Sequence, residues 1–140
     1  MNILLAVDGS AYTKKMLAYL ATHAELFSTA NHYTILTAQP VLPPRARAAV
    51  GAQIVNTYYE EEAEKILGPA CKFLLRHGIN AKGVHKVGSP GQVIAKFAES
   101  GKFDLIVMGS HGHSSVLNLV MGSVATQVLA HCRVPVLLVR

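Results

Sequence analysis

Short apolar runs, each the length of one β-strand, alternate along this chain with segments of helical periodicity. The clearest runs are Ile3–Val7, Leu105–Met108 and Val134–Val139, and Tyr33–Ala38 and the more polar Ala81–Val87 complete the set. Strands that are apolar on both faces are typical of parallel sheets covered by helices. The alternation therefore predicts an α/β fold, a single doubly wound five-stranded parallel sheet with helices on both faces.

The polarity of the runs indicates which strands are central and which lie at an edge, and the expected strand order is 3-2-1-4-5. The first and fourth strands are strongly apolar and belong in the middle of the sheet. Ala81–Val87 has a polar side, which is typical of an edge strand. Pro135 lacks a ladder donor, which favours either an edge position for the last strand or a place for the proline at the start of the strand. An exposed apolar edge favours pairing with a second chain, and we expect a homodimer through Val134–Val139.

Turn and cap residues predict where the helices lie. Ser10 is a suitable N-cap for the first helix, and Ser89 begins a predicted capping box before a proline start. Gln39–Arg47 contains three prolines and is expected to be a loop. A long helix should follow over Ala49–His77, kinked or divided at Pro69.

The stretch from Gly109 to Ser123, GSHGHSSVLNLVMGS, lies between the predicted fourth strand and the last helix. It holds three glycines and no acidic residue. Glycines allow backbone N–H groups to approach a ligand, and a helix start adds unpaired donors and partial positive charge, so the stretch suits a phosphate. Asp8–Ser10 ends the first strand at the same edge of the sheet, where open α/β sheets bind ligands.

Known phosphate-binding patterns and several function classes are excluded or disfavoured. The chain lacks G-x-x-x-x-G-K-[ST], and no G-x-G-x-x-G follows the first strand. With 140 residues, 51% of them hydrophobic, a single domain over 1–140 is expected. The net charge is +5, but the basic residues are scattered and tryptophan is absent, so nucleic-acid binding is not expected.

The expected compartment is the cytoplasm. Cys71 and Cys132 form no C-x-x-C pair and suggest no disulfide framework. No apolar run approaches the length of a membrane span. The first residues lead directly into an apolar run without a basic segment or cleavage site, so we expect no secretion signal.

Five segments in order resemble the universal stress protein family, and together they cover essentially the whole chain. They are Ile3–Ser10, the Gly-Ser-Pro at 88–90, Asp104–Gly109, the G-x2-G-x9-G-S pattern from Gly109 to Ser123, and Val134–Val139. In that family the glycine pattern marks the ATP-binding branch. The resemblance therefore implies an ATP-binding protein, and the family commonly dimerises through its last strand.

The resemblance also implies a role for individual residues in holding the nucleotide. Asp8 would lie near the ribose, and Met108 and Ala38 would border the adenine. The phosphates would be lined by Gly109, His111, Gly112, Gly122, Ser123 and Val124. A divalent ion such as Mg²⁺ would arrive with ATP, and Asp8 is the only nearby carboxylate candidate for it.

Simpler interpretations stand beside these roles. Asp8 could be a plain turn residue, and Gly122 could interrupt a continuous helix over Ser115–Ala130. Ser123 is expected to be both an N-cap and a phosphate ligand. His111 and His113 resemble half of a metal site, but no Cys, Asp or Glu follows in the loop, so no protein-built metal site is expected.

Three functions follow as hypotheses. The first is a cytoplasmic, homodimeric ATP-binding module or switch of the universal stress type without catalytic residues. The second is a slow ATPase or an adenylyl- or phosphoryl-transfer enzyme, and the third is a ligand-free structural dimer. Gly122→Val is expected to lower ATP affinity at least about tenfold with little change in melting temperature, because the residue is expected at a surface helix start.

Overall fold

The computed structural model describes residues 1–113 and 119–140, which form a five-stranded parallel sheet with helices on both faces. The strands are β1 (Asn2–Ala6), β2 (His32–Gln39), β3 (Lys82–Val87), β4 (Leu105–Gly109) and β5 (Val136–Val139). The helices are α1 (Ala11–Thr22), α2 (Pro44–Val50), α3 (Ala52–Arg76), α4 (Pro90–Ser100) and α5 (Ser123–His131). The order across the sheet is β3-β2-β1-β4-β5, which confirms the predicted fold class and strand order.

The central strand β1 divides the core into two layers. Leu5 packs in the layer covered by α1 and α3, and Leu4 packs in the layer covered by α4 and α5. Both side chains are completely buried. Burying a leucine contributes about 1.5–3 kcal/mol, so β1 is firmly held from both sides and its carboxyl end is a rigid support for the loop that follows.

The segment after β2 differs from the prediction. Helix α2 begins at Pro44, inside the expected loop, because a proline is well tolerated at the first helical position. Gly51, with φ of 83°, then separates α2 from α3. A left-handed residue cannot continue a helix, so the predicted single helix over 49–77 is two helices.

Pro69 lies inside α3 without dividing it. The helix is anchored on both sides of the proline by buried Ala63, Leu67, Ala70 and Leu74. Pro69 itself is exposed, so water can bond the carbonyl group that loses its helical donor. The predicted division of the helix at this point is therefore wrong.

The predicted helix caps have mixed outcomes. The Ser10 hydroxyl accepts a hydrogen bond from the Thr13 N–H at 3.4 Å, which confirms the first cap. Ser89 occupies the cap position of α4 but makes no side-chain cap bond, so the predicted capping box is not formed. Helix α5 has Gly122 as its N-cap and Ser123 as its first residue, so the prediction that Ser123 is the N-cap is wrong.

The alternative of one continuous helix over 115–130 is also wrong over its described part. Residues 119–122 are not helical, and Gly122 has an extended backbone with φ of −73° and ψ of 167°. Ser115 and the neighbouring residues up to 118 lie outside the described residues. The last helix therefore begins at Ser123.

Strands β3 and β5 are the two edges of the sheet, as predicted. All four residues of β5 are half-buried, and the backbone of β4 is the only described partner of this strand. Within residues 1–113 and 119–140, no helix combines the length and the apolar character that crossing a membrane requires.

Candidate functional site

A cleft of about 590 Å³ opens at the carboxyl ends of β1, β2 and β4. Strand β1 has β2 on one side and β4 on the other, so the direction of winding reverses here, which is where open α/β sheets bind ligands. Eight of the nine predicted site residues line this cleft. They are Asp8, Ala38, Gly109, His111, Gly112, Gly122, Ser123 and Val124.

Met108 is the ninth, and it does not line the cleft. Its side chain is buried in the core layer beneath α4 and α5. From that layer, Ala6, Ile94 and Val124 reach the cleft instead. Met108 therefore supports the cleft wall from behind rather than forming its surface.

Asp8 has two distinct carboxylate oxygens. Oδ1 accepts hydrogen bonds from the Ser10 N–H and from the Thr13 hydroxyl, both at 2.9 Å. The Asp8 N–H in turn donates to Thr13 Oγ1 at 3.0 Å. These bonds stabilise the turn after β1, which is the simpler role predicted for Asp8. They occupy only one of its two carboxylate oxygens. Oδ2 lies on the side of Gly112, where both residues line the cleft.

The three loop glycines allow parts of the protein to approach one another closely. A Cβ added at Gly112 would lie 2.5 Å from Asp8 Oδ2, and one at Gly109 would lie 2.6 Å from Tyr12 Cβ. A Cβ at Gly122 would lie 3.1 Å from His111 Cα and 3.2 Å from the Ser110 carbonyl oxygen. The folding of the loop itself therefore favours glycine at these positions, apart from any ligand.

The two histidines of the loop are engaged within the protein. His111 Nε2 donates to the Leu119 carbonyl at 2.8 Å, and its Nδ1 lies 2.9 Å from the Ser110 hydroxyl. His113 Nε2 donates to the Asp8 carbonyl at 2.6 Å and so fastens the glycine-rich loop to the turn after β1. His111 lines the cleft, but both of its ring nitrogens are already occupied.

The start of α5 presents unpaired donors to the cleft. The Gly122 N–H donates to the Ser110 carbonyl at 2.7 Å, and the helical bonding resumes with the Thr126 N–H to the Gly122 carbonyl at 3.0 Å. The N–H groups of residues 123–125 lie between these two and have no helical acceptor. Gly122 has no side chain to cap them, and the helix dipole adds partial positive charge. An anion fits this position.

Helix α3 forms a wall of the cleft that the sequence interpretation missed. Tyr58, Glu62 and Ile66 line the cleft and are spaced four residues apart, so they share one face of the helix. The spacing of four was visible in the sequence, but nothing local indicated which face would meet the sheet edge. Other lining residues that the sequence analysis missed include Thr37, Gln39, Pro40, Pro90 and Ile94.

The charge of the cleft differs from the charge of the whole chain. The only described charged side chains that line it are Asp8 and Glu62, and Glu62 pairs with Lys65 at 2.8 Å. No lysine or arginine among the described residues lines it. An anionic group bound here would therefore meet backbone donors and hydroxyls rather than fixed cations.

Within the described part of the chain, no three His, Cys, Asp or Glu side chains come together as a metal site. Cys71 and Cys132 are free and half-buried. Burial raises the pKa of each thiol, and nearby carboxylates, Glu64 for Cys71 and Glu99 for Cys132, raise it further. A raised pKa lowers the thiolate fraction, so neither cysteine is an activated nucleophile.

The model of the universal stress protein family matches residues 1–140. This chain belongs to that family. Among its curated relatives, universal stress protein Slr1230 of Synechocystis is 33% identical over 139 residues, which cover 99% of this chain and 42% of Slr1230. Universal stress protein MJ0531 of Methanocaldococcus jannaschii is 30% identical over 140 residues, covering 99% of this chain and 81% of MJ0531. The chain thus spans less than half of the first relative and most of the second.

Solved structures of the universal stress fold superpose well on this chain. The structure of MJ0577 from the same archaeon is 28% identical, with a TM-score of 0.80 over 99% of this chain and 94% of that one. A universal stress protein in complex with cAMP has a TM-score of 0.70 at 22% identity, over 100% and 97% of the two chains. An Arabidopsis thaliana family member with bound AMP has a TM-score of 0.68 at 15% identity, over 99% and 90%. At these lower identities the likeness concerns the fold alone.

Proposed function

We propose that this chain, as a single domain over residues 1–140, is a cytoplasmic ATP-binding universal stress protein that acts as a homodimeric, nucleotide-dependent binding module or switch. The observation that carries the proposal is the order of chemical groups across the cleft. The glycine-rich loop and the start of α5 follow β4, Asp8 follows β1, and Ala38 lies near the end of β2. This order matches the phosphates, ribose and base of a nucleotide.

The dimensions of the sheet agree with that order. Neighbouring strands lie about 4.8 Å apart, so the ends of β4 and β2 are separated by about 10 Å. A nucleoside phosphate can span that distance with its ribose opposite β1. There, Asp8 Oδ2 is free to accept a hydrogen bond from a ribose hydroxyl, since Oδ1 serves the turn.

The phosphates are assigned to the start of α5. The unpaired N–H groups of residues 123–125 and the Ser123 hydroxyl are the donors, and the helix dipole favours negative charge beside them. With two carboxylates and no described lysine or arginine on the lining, Mg²⁺ that arrives with ATP would offset part of the phosphate charge. Related structures with AMP and cAMP support an adenine nucleotide as the ligand class.

A binding role fits the site better than a catalytic one. Both ring nitrogens of His111 are occupied by Ser110 and Leu119, so this histidine is not poised to activate a water molecule. The half-buried free thiols of Cys71 and Cys132 agree with a reducing cytoplasm. A slow ATPase or a group-transfer enzyme is the alternative, and turnover of ATP would favour it.

The homodimer is proposed through β5. This strand is apolar over Val136–Val139 and has an open side in the described structure, which is a template for pairing. Light scattering of the purified chain at micromolar concentration is expected to give the mass of two chains. A mass of one chain would contradict the dimer and leave the nucleotide site unaffected.

Binding of ATP is tested by titration in the presence of Mg²⁺, with Asp8→Asn as the variant. The native chain is expected to bind ATP saturably. The asparagine keeps an Oδ1 acceptor for Ser10 and Thr13, so the melting temperature should be nearly unchanged. Affinity should fall about tenfold, because a ribose hydroxyl loses a charged acceptor.

Asp8→Ala is the matched control, because it removes the turn bonds as well and should also lower the free energy of unfolding by about 1 kcal/mol. Absence of ATP binding by the native chain would leave the ligand-free structural dimer as the remaining hypothesis. Release of ADP, or transfer of a phosphoryl or adenylyl group, over many turnovers would contradict the binding module and favour the enzyme hypothesis.

A further inference from the structure

The side-chain amide of Gln39 has a fixed orientation at the end of β2. Its Nε2 donates to the Tyr59 carbonyl oxygen at 2.8 Å. A backbone carbonyl only accepts, so the nitrogen must face Tyr59 and Oε1 must face away from it. Gln39 lines the cleft, and no described residue donates a hydrogen bond to Oε1. The amide thus leaves a free acceptor.

The surroundings hold this arrangement in place. Tyr59 is 7% exposed, and its hydroxyl accepts from the Leu42 N–H at 2.8 Å, so α3 is fixed against the chain that follows β2. The Gln39 carbonyl accepts from the Gly88 N–H at 2.7 Å. Turning the amide over would place Oε1 against the Tyr59 carbonyl oxygen and lose a hydrogen bond. The position of the Oε1 acceptor is therefore set by the protein and does not adapt to the ligand.

We infer that Gln39 Oε1 determines the base preference of the cleft, in favour of a 6-aminopurine over a 6-oxopurine. The inference rests on the proposed function, which places the base at the end of β2. Pro40 and Tyr58 line the cleft together with Gln39 and provide apolar and aromatic surface beside the amide. The amino group of adenine donates to a fixed acceptor, whereas the carbonyl oxygen of hypoxanthine or guanine would face another oxygen.

A purely structural role for Gln39 is the competing explanation. In that case the amide only fastens α3 to the sheet through Nε2, and its loss would weaken the binding of all nucleotides equally. The two roles are separated by the ratio of two affinities, because fastening α3 does not distinguish one purine from another.

The experiment compares the affinities of ATP and ITP, whose purines differ in the group at position 6 and in the proton that hypoxanthine carries on N1. The native chain is expected to favour ATP by about tenfold or more. Gln39→Met keeps the length of the side chain without an acceptor and should reduce that preference to about threefold or less, mainly through weaker ATP binding. Gln92→Met, on the exposed surface of α4 and outside the cleft lining, should keep the native ratio.

Gln39→Glu separates the acceptor from the fastening bond. Glutamate keeps acceptor oxygens but loses the donor to Tyr59 that holds them in place, so the melting temperature should fall and the preference for ATP should lie between those of the native chain and Gln39→Met. An unchanged ATP-to-ITP ratio in Gln39→Met, or equal affinities in the native chain, would overturn the inference and leave ATP binding intact. Absence of ATP binding by the native chain would overturn the proposed function itself.

Discussion

Ser123→Glu is expected to reduce ATP affinity by about a hundredfold or more, without any loss of folding stability. Ser123 is the first residue of α5, is exposed and lines the cleft. A carboxylate in the first turn of a helix interacts favourably with the helix dipole, by about 0.3–1 kcal/mol. The same carboxylate competes with the phosphates for the N–H groups of residues 123–125 and repels them. Binding and stability should therefore change in opposite directions.

Isothermal titration and thermal unfolding of the same samples measure both effects. Ser123→Ala removes only the hydroxyl and should weaken the affinity for ATP by less than about tenfold. Gln53→Glu makes the same charge change in the first turn of α3, at an exposed residue outside the cleft lining, and should leave the affinity unchanged. A native-like affinity of Ser123→Glu for ATP would show that the start of α5 does not bind the phosphates.

Gly122→Val is expected to lower both ATP affinity and folding stability. The sequence alone predicted a loss of affinity with little change in melting temperature, on the assumption of an open helix start. In the structure, a Cβ at Gly122 would meet the His111 Cα at 3.1 Å and the Ser110 carbonyl at 3.2 Å. These are backbone atoms and cannot rotate away, so the expected cost is about 1–3 kcal/mol, a fall of several degrees in the melting temperature.

Gly122→Ala carries the same Cβ without the branched methyl groups and should show a smaller version of both losses. Gly83→Ala on β3 is the matched control, because its Cβ would lie 3.6 Å or more from Cys71 and Leu67, at ordinary contact distances. A native melting temperature in Gly122→Val, together with weaker ATP binding, would support the original expectation of an open site.

The fold could be predicted because its signals are local. A strand buried on both faces is apolar at every position, as in Ile3–Val7, and an edge strand shows a polar side, as in β3. Such patterns, together with the alternation of elements, were sufficient to predict the central and edge strands of the sheet and the end of the strands at which the cleft lies. The start of α2 was missed because Pro44 suits both a loop and a helix start.

The sequence by itself therefore determined the sheet and the family resemblance, and eight of the nine site residues predicted from it line the cleft. Only the tertiary structure decided which residues contact one another. His113 meets the Asp8 carbonyl across 105 positions of sequence, and Gln39 is oriented by Tyr59, twenty positions away on another element. Contacts of this kind depend on how helices and loops pack against the sheet, which leaves no periodic signal in the chain.

The same reason explains the glycine-rich loop. The spacing of Gly109, Gly112 and Gly122 predicted close approach of backbone to a ligand, and the structure shows close approach of the loop to itself, to Tyr12 and to Asp8. A glycine in a sequence indicates that space is needed beside the backbone. Which atom fills that space, a phosphate oxygen or another part of the protein, is decided by packing in three dimensions.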